Sequence, residues 1–371
     1  MKKFVALLLA LSVCVSLAGC HKDTGMDDAD RAGNVYGEHG GDIDPNRTKL
    51  KGVIKNATVF YYDRAAAKVG DTWYCIDKNG GIIFQYPSEV TVVTRLFENG
   101  YSLVNEGYCD DTGRYTTFQD MGIADVDATT CRYQGDYLIA RVDESTYNSK
   151  VLKLGILNSD FEWQVEPSME LYEALERDYG TTYPLRTSQK YVYNEEKDHY
   201  VDLTTGKVLK DLPEEDQYMI RTVEYGVAYD ARGNELCTYP EGASVTPHTD
   251  GTALLVYYSG DKRFFSIADK NGAMLFEPIE ALNYPGSRSA VPNIAASLYD
   301  EYVVVSEYDG AEAKIYDFSG KLLATLTNDI NVGGRDERNR FTYSVSSGMV
   351  LVQEMKNYTY HYYDFDGNLI A

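Results

Sequence analysis

Side chains able to do acid–base or metal chemistry are unevenly supplied in this chain. It has 5 histidines against 57 Asp and Glu, 33 Tyr and 6 Cys. His21 and His39 sit near the N-terminus, and His199, His248 and His361 lie in the body. His199 and His361 each stand three residues before a hairpin aspartate, Asp202 and Asp364, so they share a repeat position, which points to shared packing. No Gly-x-Ser-x-Gly, His-Glu-x-x-His, phosphate-binding loop or dinucleotide fingerprint occurs. The many acids offer carboxylate pairs of the kind glycoside hydrolysis uses, but no spacing selects one pair. Asp364-Phe365-Asp366-Gly367-Asn368 hints at a calcium loop, yet it lacks the ligand number and distal Glu of an EF-hand and reads as a hairpin turn. The expectation is therefore no catalytic residue, no cofactor site and no metal site.

Cysteine gives a sharper signal. Lys2 and Lys3 precede an apolar run from Phe4 to Val15, and Leu17-Ala18-Gly19-Cys20 follows. Basic, apolar and small-residue segments in that order read as a signal peptide, and the run is short of the roughly 20 apolar residues that a membrane span needs. Leu17-Ala18-Gly19-Cys20 resembles the lipobox of bacterial lipoproteins. The resemblance implies that Cys20 carries a diacylglyceryl thioether and becomes the first residue of the mature chain. Two acyl chains anchor stably where one binds only marginally. The expected partner is thus the outer surface of a cell membrane or envelope, reached through Cys20. Cys75, Cys109, Cys131 and Cys237 remain in the body at spacings that match no metal motif, and disulfides among them stay open.

Residues 20–56 are rich in Gly and acids with almost no apolar periodicity, so they read as a flexible tether after the 1–19 signal. The formal charge is −22, and the signal carries only the cations Lys2 and Lys3, so the mature chain sits near −24. Such a body repels phosphate backbones, which argues against nucleic acid as a partner.

The elements that must position any site are visible as a repeat over 57–371. Asp77-Lys78-Asn79-Gly80, Asp230-Ala231-Arg232-Gly233, Asp269-Lys270-Asn271-Gly272, Asp317-Phe318-Ser319-Gly320 and Asp364-Phe365-Asp366-Gly367 each separate two strand-like stretches. Asp202 to Gly206 is the same signal with one extra residue, and Asp110-Asp111-Thr112-Gly113 and Asn158-Ser159-Asp160 are degenerate copies. Aspartate at the first turn position accepts backbone hydrogen bonds from ahead of it, and glycine takes the positive-φ position. A further strand pair precedes each turn, and Val90–Leu96 and Arg340–Val345 are suited to a fourth strand. Eight units open near Ala57, Gly100, Gly135, Gln189, Gln217, Thr252, Glu301 and Gly348, with a mean period of about 42 residues. That is the period of four-stranded propeller blades. The expected fold is an all-β propeller of eight antiparallel meanders, or seven if the two units only 28 residues apart share a blade. A single helix is expected, capped by Ser168, with Met169, Tyr172, Leu175 and Tyr179 on its apolar face and Gly180 at its end.

Trp73-Tyr74-Cys75-Ile76-Asp77-Lys78-Asn79-Gly80 followed by Phe97-Glu98-Asn99-Gly100-Tyr101-Ser102-Leu103-Val104 resembles the WG-repeat (KWG) proteins. Gly155-Ile156-Leu157-Asn158 with Phe161 to Pro167 is similar to the same unit, as is Ile267 to Pro278. Tyr74 stands where that family has its signature glycine, and most units lack Trp. The resemblance implies interaction roles and no common catalytic residue. Tyrosine clusters at Phe60-Tyr61-Tyr62, Tyr257-Tyr258 and Tyr358 to Tyr363 read chiefly as packing between blades, with some rings available at the ring's mouth to stack on a sugar or peptide. The leading functional expectation is a lipid-anchored monomer that binds a protein or glycan at the cell envelope. An enzyme acting on polysaccharide or cell wall, with carboxylates in the channel, and a non-catalytic envelope scaffold are the alternatives.

Overall fold

Several strands in this chain are apolar on both faces, which requires a neighbouring layer on each side of their sheets. Ala253, Leu255 and Ala268 face one buried cluster while Leu254, Val256 and Ile267 face another, with the period of two that a strand imposes. The computed structural model describes residues 46–371 except 124, 127–132, 135, 148, 150, 176–181, 185–189, 195, 217–219, 221, 231, 282–291, 298–299, 308–310 and 328–340. The expected signal segment 1–19, Cys20, Cys131, Tyr179 and Gly180 lie outside the described residues.

The described chain is all-β, built of antiparallel meanders in chain order. The first sheet holds Ile54–Ala57, Arg64–Val69, Thr72–Asp77 and Ile82–Gln85. The second holds Val93–Leu96, Ser102–Val104, Gly107–Cys109 and Tyr115–Thr117, and the third Tyr133–Gln134, Tyr137–Asp143, Leu152–Leu157 and Trp163–Ser168, with Asp125–Val126 paired beside it. The fourth holds Thr182–Pro184, Tyr191–Asn194, His199–Asp202 and Val208–Leu209, and the fifth Thr222–Glu224, Val227–Tyr229 and Glu235–Thr238. The units 28 residues apart in the sequence therefore lie in separate sheets. The sixth holds Ser244–Pro247, Ala253–Ser259, Lys262–Ala268 and Ile279–Glu280, and the seventh Asn293–Ala296, Tyr302–Ser306, Glu312–Asp317 and Leu322–Thr327. The eighth group, Phe341–Ser346, Met349–Glu354 and Thr359–Asp364, joins the first sheet through the pair Ile54↔Tyr360.

Strand pairing starts before the point where the sequence placed the end of the tether. Lys49 bridges Gly81, Leu50 N donates to Gly80 O, and Ile54–Ala57 pairs with Arg64–Val69. Ile54 and Leu50 supply the apolar side chains that anchor this stretch, too few to register as a periodic pattern.

Buried clusters link most consecutive sheets, though among the described residues none spans the fourth and the fifth. Ala66, Trp73 and Cys75 meet Val93, Val104 and Cys109; Leu103 meets Leu138 and Leu157; Ile139 and Ile156 meet Val192 and Val201. Later along the chain, Ala228 and Cys237 meet Ala253, Val303 meets Phe265, and Val304 and Ile315 meet Val345 and Val350. Ala65, Ala67 and Ile76 of the first sheet pack on Met349, Leu351 and Tyr362 of the last. Tyr362, fully buried, donates its hydroxyl to Thr58 O at 2.7 Å.

The recurring turn is built as its residues dictate. In six of the copies one side-chain oxygen of Asp77, Asp110, Asn158, Asp230, Asp269 or Asp317 accepts from the backbone N–H two and four residues on, at 2.8–3.0 Å. Asp202 takes only the first of these bonds and Asp364 only the second, with Asn368 also donating its amide to Asp364. The turn glycine has a second duty. At Gly320 (φ +82°) an added Cβ would lie 2.8 Å from the Phe276 ring of the preceding sheet, and at Gly80 (φ +74°) it would lie 2.5 Å from Ile370 O at the chain's end.

The helix α1 (Met169–Leu175) follows the third sheet, and Leu171 N donates to Ser168 Oγ at 3.0 Å, as a capping serine should. Its buried face is Leu171, Ala174 and Leu175, set against the third and fourth sheets, while Met169 is exposed. Of the expected stripe, Leu175 and Tyr172 pack on this core, while Met169 does not. The i, i+3, i+4 set containing Ala174 covers the sheets more closely than one carried by Met169.

Candidate functional site

In a meander the first–second and third–fourth connections lie at one end of the sheet. Contacts between sheets at that end run like to like. Asn99 Nδ2, in the first–second loop of the second sheet, donates to Ser159 O (2.9 Å) and Asp160 Oδ1 (2.7 Å) in the third–fourth turn of the next. Asp300, in the corresponding loop of the seventh sheet, accepts from Ser347 N of the eighth at 3.2 Å.

Charged side chains from several sheets meet at this end. Arg95, buried in the second sheet, lies 3.7 Å from Asp136 of the third. Its guanidinium is 5.6 Å from the Tyr61 ring and 5.3 Å from the Phe97 ring. Tyr62 follows in the first sheet's loop with φ 56°, an unusual backbone for a bulky residue, and is 40% exposed. Its phenol is pushed up chiefly by burial, then by the charges of Asp136 and Glu98, with Arg95 opposing and Asp300 adding to the rise. Tyr62 thus feels carboxylates of the second, third and seventh sheets at once.

Burial also raises the carboxyls of Asp136 and Asp300. Arg95 opposes the rise at Asp136, while Ser346, Ser347 N, His248 and Lys78 oppose it at Asp300. Burial lowers the Lys78 ammonium, against the pull of Asp63 and Asp300. Asp63 is 7% exposed and sits 3.6 Å from Arg64 Nε through Oδ1, while its Oδ2 is buried without a hydrogen-bond partner. The Arg64 guanidinium is wedged against Gly100, where an added Cβ would fall 2.2 Å from Nη1.

His248 is the histidine that enters this end of the fold. It is 3% exposed, its Nδ1 is 2.9 Å from Asp250 Oδ1, and its ring meets the edge of Phe318. Desolvation opposes ionisation of Asp250, but the bonds from His248 and Thr252 outweigh it and hold the carboxyl down at about 2. An ionised Asp250 only accepts, so Nδ1 donates in this bond, and the buried Nε2 has no hydrogen-bond partner.

The other residues marked in the sequence fall elsewhere. His199 Nε2 contacts Ala174 O at 3.0 Å and ties the fourth sheet to α1. His361 pairs opposite Val352 within the last sheet. Cys75, Cys109 and Cys237 are buried free thiols. Among the tyrosine clusters, Tyr362 is core, Tyr258 and Tyr358 are exposed, and Tyr61 and Tyr62 join the charged end. Among the described residues no group of three or more His, Cys, Asp or Glu is placed to hold a metal ion. Sequence reasoning singled out neither Asp136 nor Asp300. Aligning the units would have raised them, because Asp63, Asp136 and Asp300 fall within two residues of the start of the second strand in their sheets.

No family model matches this chain, and no curated protein does either. Among solved structures, Kluyveromyces lactis Hsv2 with loop 6CD replaced by a Gly-Ser linker is similar at 10% identity and TM-score 0.38, covering 85% of this chain and 93% of that one. The Myceliophteria thermophila Cps50 (Swd1) β-propeller domain is similar at 13% identity and TM-score 0.32, covering 86% and 99%. The dihydro-heme d1 dehydrogenase NirN is similar at 12% identity and TM-score 0.39, covering 88% of this chain and 75% of that one.

Proposed function

We propose that this chain is an eight-bladed, lipid-anchored β-propeller that binds a ligand or partner outside the cytoplasm, through the end of the ring where Tyr62, Asp136 and Asp300 meet. The observation that carries the reading is that meeting. Side chains of the first, second and third sheets converge there, with Arg95 3.7 Å from Asp136 and 5.6 Å from the Tyr61 ring, and the Asp300 carboxyl of the seventh sheet bears on Tyr62 although the two lie far apart in sequence. The ring itself is supported by the shared cores of most consecutive sheets and by the packing of the first on the last, which leaves fewer open edges. The anchor is supported by Leu17-Ala18-Gly19-Cys20 alone.

The test uses the full mature chain carrying Cys20→Ser, screened by thermal shift against glycans and peptidoglycan fragments. A hit whose shift disappears in Tyr62→Leu and Asp300→Asn supports the reading. A hit indifferent to both sinks it. Metabolic labelling with a palmitate analogue should mark the wild-type chain and spare Cys20→Ala.

A second reading, cleavage of a polysaccharide, is favoured by one observation. Asp136 and Asp300 are both desolvated carboxyls with raised pKa, the state a general acid needs, and each has a supporting group in Arg95 or Ser347. Release of reducing ends that stops in both Asp136→Asn and Asp300→Asn would favour the enzyme; binding without turnover would leave the first reading.

A further inference from the structure

The fifth sheet differs from its neighbours in what its two faces carry. Val223, Ala228 and Cys237 alternate onto the face packed against Ala253 and Leu255 of the sixth sheet. The opposite face carries Thr222, Glu224 and Tyr229, since Thr222 pairs directly with Tyr229 and Glu224 lies two residues on. Thr222 and Glu224 are exposed and Tyr229 is half-buried. Among the described residues no buried cluster joins this polar face to the fourth sheet. The tyrosine face of the fourth sheet is closed by the segment that follows it, with Leu212 packed among Tyr191, Tyr193 and Tyr200 and the Tyr191 hydroxyl donating to Asp216 Oδ2 at 2.6 Å. What remains on the fifth sheet is a cavity of about 340 Å³ lined by Thr222, Glu224, Tyr229, Asp230 and Gly233. Small-molecule sites fall in the range of about 300–1,000 Å³. Beside it, Arg232 Nε lies 3.1 Å from Asp211 Oδ1 and ties the Asp230–Gly233 turn to the segment leaving the fourth sheet.

Most of the polar groups in this cavity are not used by the fold. Asp230 is committed to its own turn, where Oδ1 accepts from Arg232 N and Asn234 N and Oδ2 from Asn234 Nδ2. The side chains of Thr222, Glu224 and Tyr229 make no hydrogen bond or ion pair among the described residues. The lining thus offers one carboxylate that only accepts and two hydroxyls that donate as well as accept, with no cation among them. We infer that this cavity is a second binding site, for a neutral sugar of one or two rings, on a sheet that contributes no residue to the meeting of Tyr62, Asp136 and Asp300. Sugar hydroxyls donate to Glu224 and accept from Thr222 and Tyr229, and the apolar face of the sugar ring packs on the Tyr229 ring. An anionic sugar meets the charges of Glu224 and Asp230 with nothing to offset them. A simple cation pairs with Glu224 but leaves the two hydroxyl donors without an acceptor.

The experiment titrates the Cys20→Ser chain calorimetrically with the neutral disaccharides cellobiose, maltose and N,N′-diacetylchitobiose, and with digalacturonic acid as the anionic counterpart. The expected result is saturable binding of at least one neutral disaccharide, tighter than the uronide by about tenfold or more. That affinity should fall by about tenfold or more in Glu224→Gln and in Thr222→Val. It should not move in Tyr62→Leu or Asp300→Asn. Glu224 and Thr222 are exposed and without protein partners, so urea midpoints of their variants should match the parent's and a lost affinity reports the site. Binding unchanged in both variants overturns the location, and binding lost instead in Tyr62→Leu assigns the sugar to the other site. Uronide binding as tight as that of the neutral sugars overturns the ligand class. If no neutral disaccharide binds, the inference falls alone, and a ligand found by the glycan screen for the Tyr62 end leaves the earlier reading standing.

Discussion

Replacing Gly80 by alanine tests whether the chain's end closes onto its first sheet. Gly80 has φ +74°, and Gly260, in a turn of the sixth sheet at the other end, has φ +62°. Alanine in this left-handed region costs about 1–2 kcal/mol at either position. At Gly260 nothing lies within 4 Å of the added Cβ, so the cost stops there. At Gly80 the Cβ would sit 2.5 Å from Ile370 O and 3.3 Å from Ile370 Cγ2, so backbone must shift. Relieving such overpacking adds about 1–3 kcal/mol. The expected losses are thus about 2–5 kcal/mol for Gly80→Ala and about 1–2 kcal/mol for Gly260→Ala. Loss of chain entropy in the unfolded state is common to both and cancels in the comparison. Urea denaturation reads the difference as a larger fall in midpoint for Gly80→Ala with little change in slope. Deleting Leu369-Ile370-Ala371 removes the clashing atoms, so in that shortened chain the excess cost at Gly80 should vanish. Equal losses for the two alanine variants in the full chain would refute the closure argument.

Three further outcomes follow from single contacts. Tyr362→Phe leaves Thr58 O without its buried donor, while Ala66 O keeps the bond from Thr58 N, so the loss should be about 1–3 kcal/mol by urea midpoint. Cys75 and Cys109 are fully buried and burial pushes both thiols up to about 12, so iodoacetamide at pH 8 should modify neither until urea unfolds the chain; labelling faster than unfolding would contradict this. Asp250 is held down at about 2, below its unfolded value near 4, so its contribution is present above about pH 4 and is lost as pH falls toward 2. Asp250→Asn should therefore lose roughly 2 kcal/mol at neutral pH and show a flatter acid limb in stability against pH.

The repeat was legible in the sequence because its turns obey local chemistry. Asp77, Asp230, Asp269 and Asp317 satisfy backbone donors two and four residues away, and a positive φ selects the glycine that follows. These are short-range requirements, so they leave the same mark at every copy. The helix was legible through Ser168, but the exposure of Met169 was not, because the buried stripe of Leu171, Ala174 and Leu175 answers to two sheets and not to the helix alone. Ala66 and Ala65 show the same division: alternation told that both faces were apolar, and only packing assigned one to the second sheet and the other to the last.

The charged end was the part least open to reading. Tyr62 was visible only as one member of the Phe60-Tyr61-Tyr62 cluster, and Asp136 and Asp300 were visible only as a shared place before a second strand among 57 acids. By itself the sequence determined the strand pairs and the turns, because hydrogen bonding within a hairpin is local. Tertiary structure alone decided which loops share an end and which carboxyls burial desolvates. Both depend on distances between residues that lie far apart in the chain, and a linear sequence does not carry those distances.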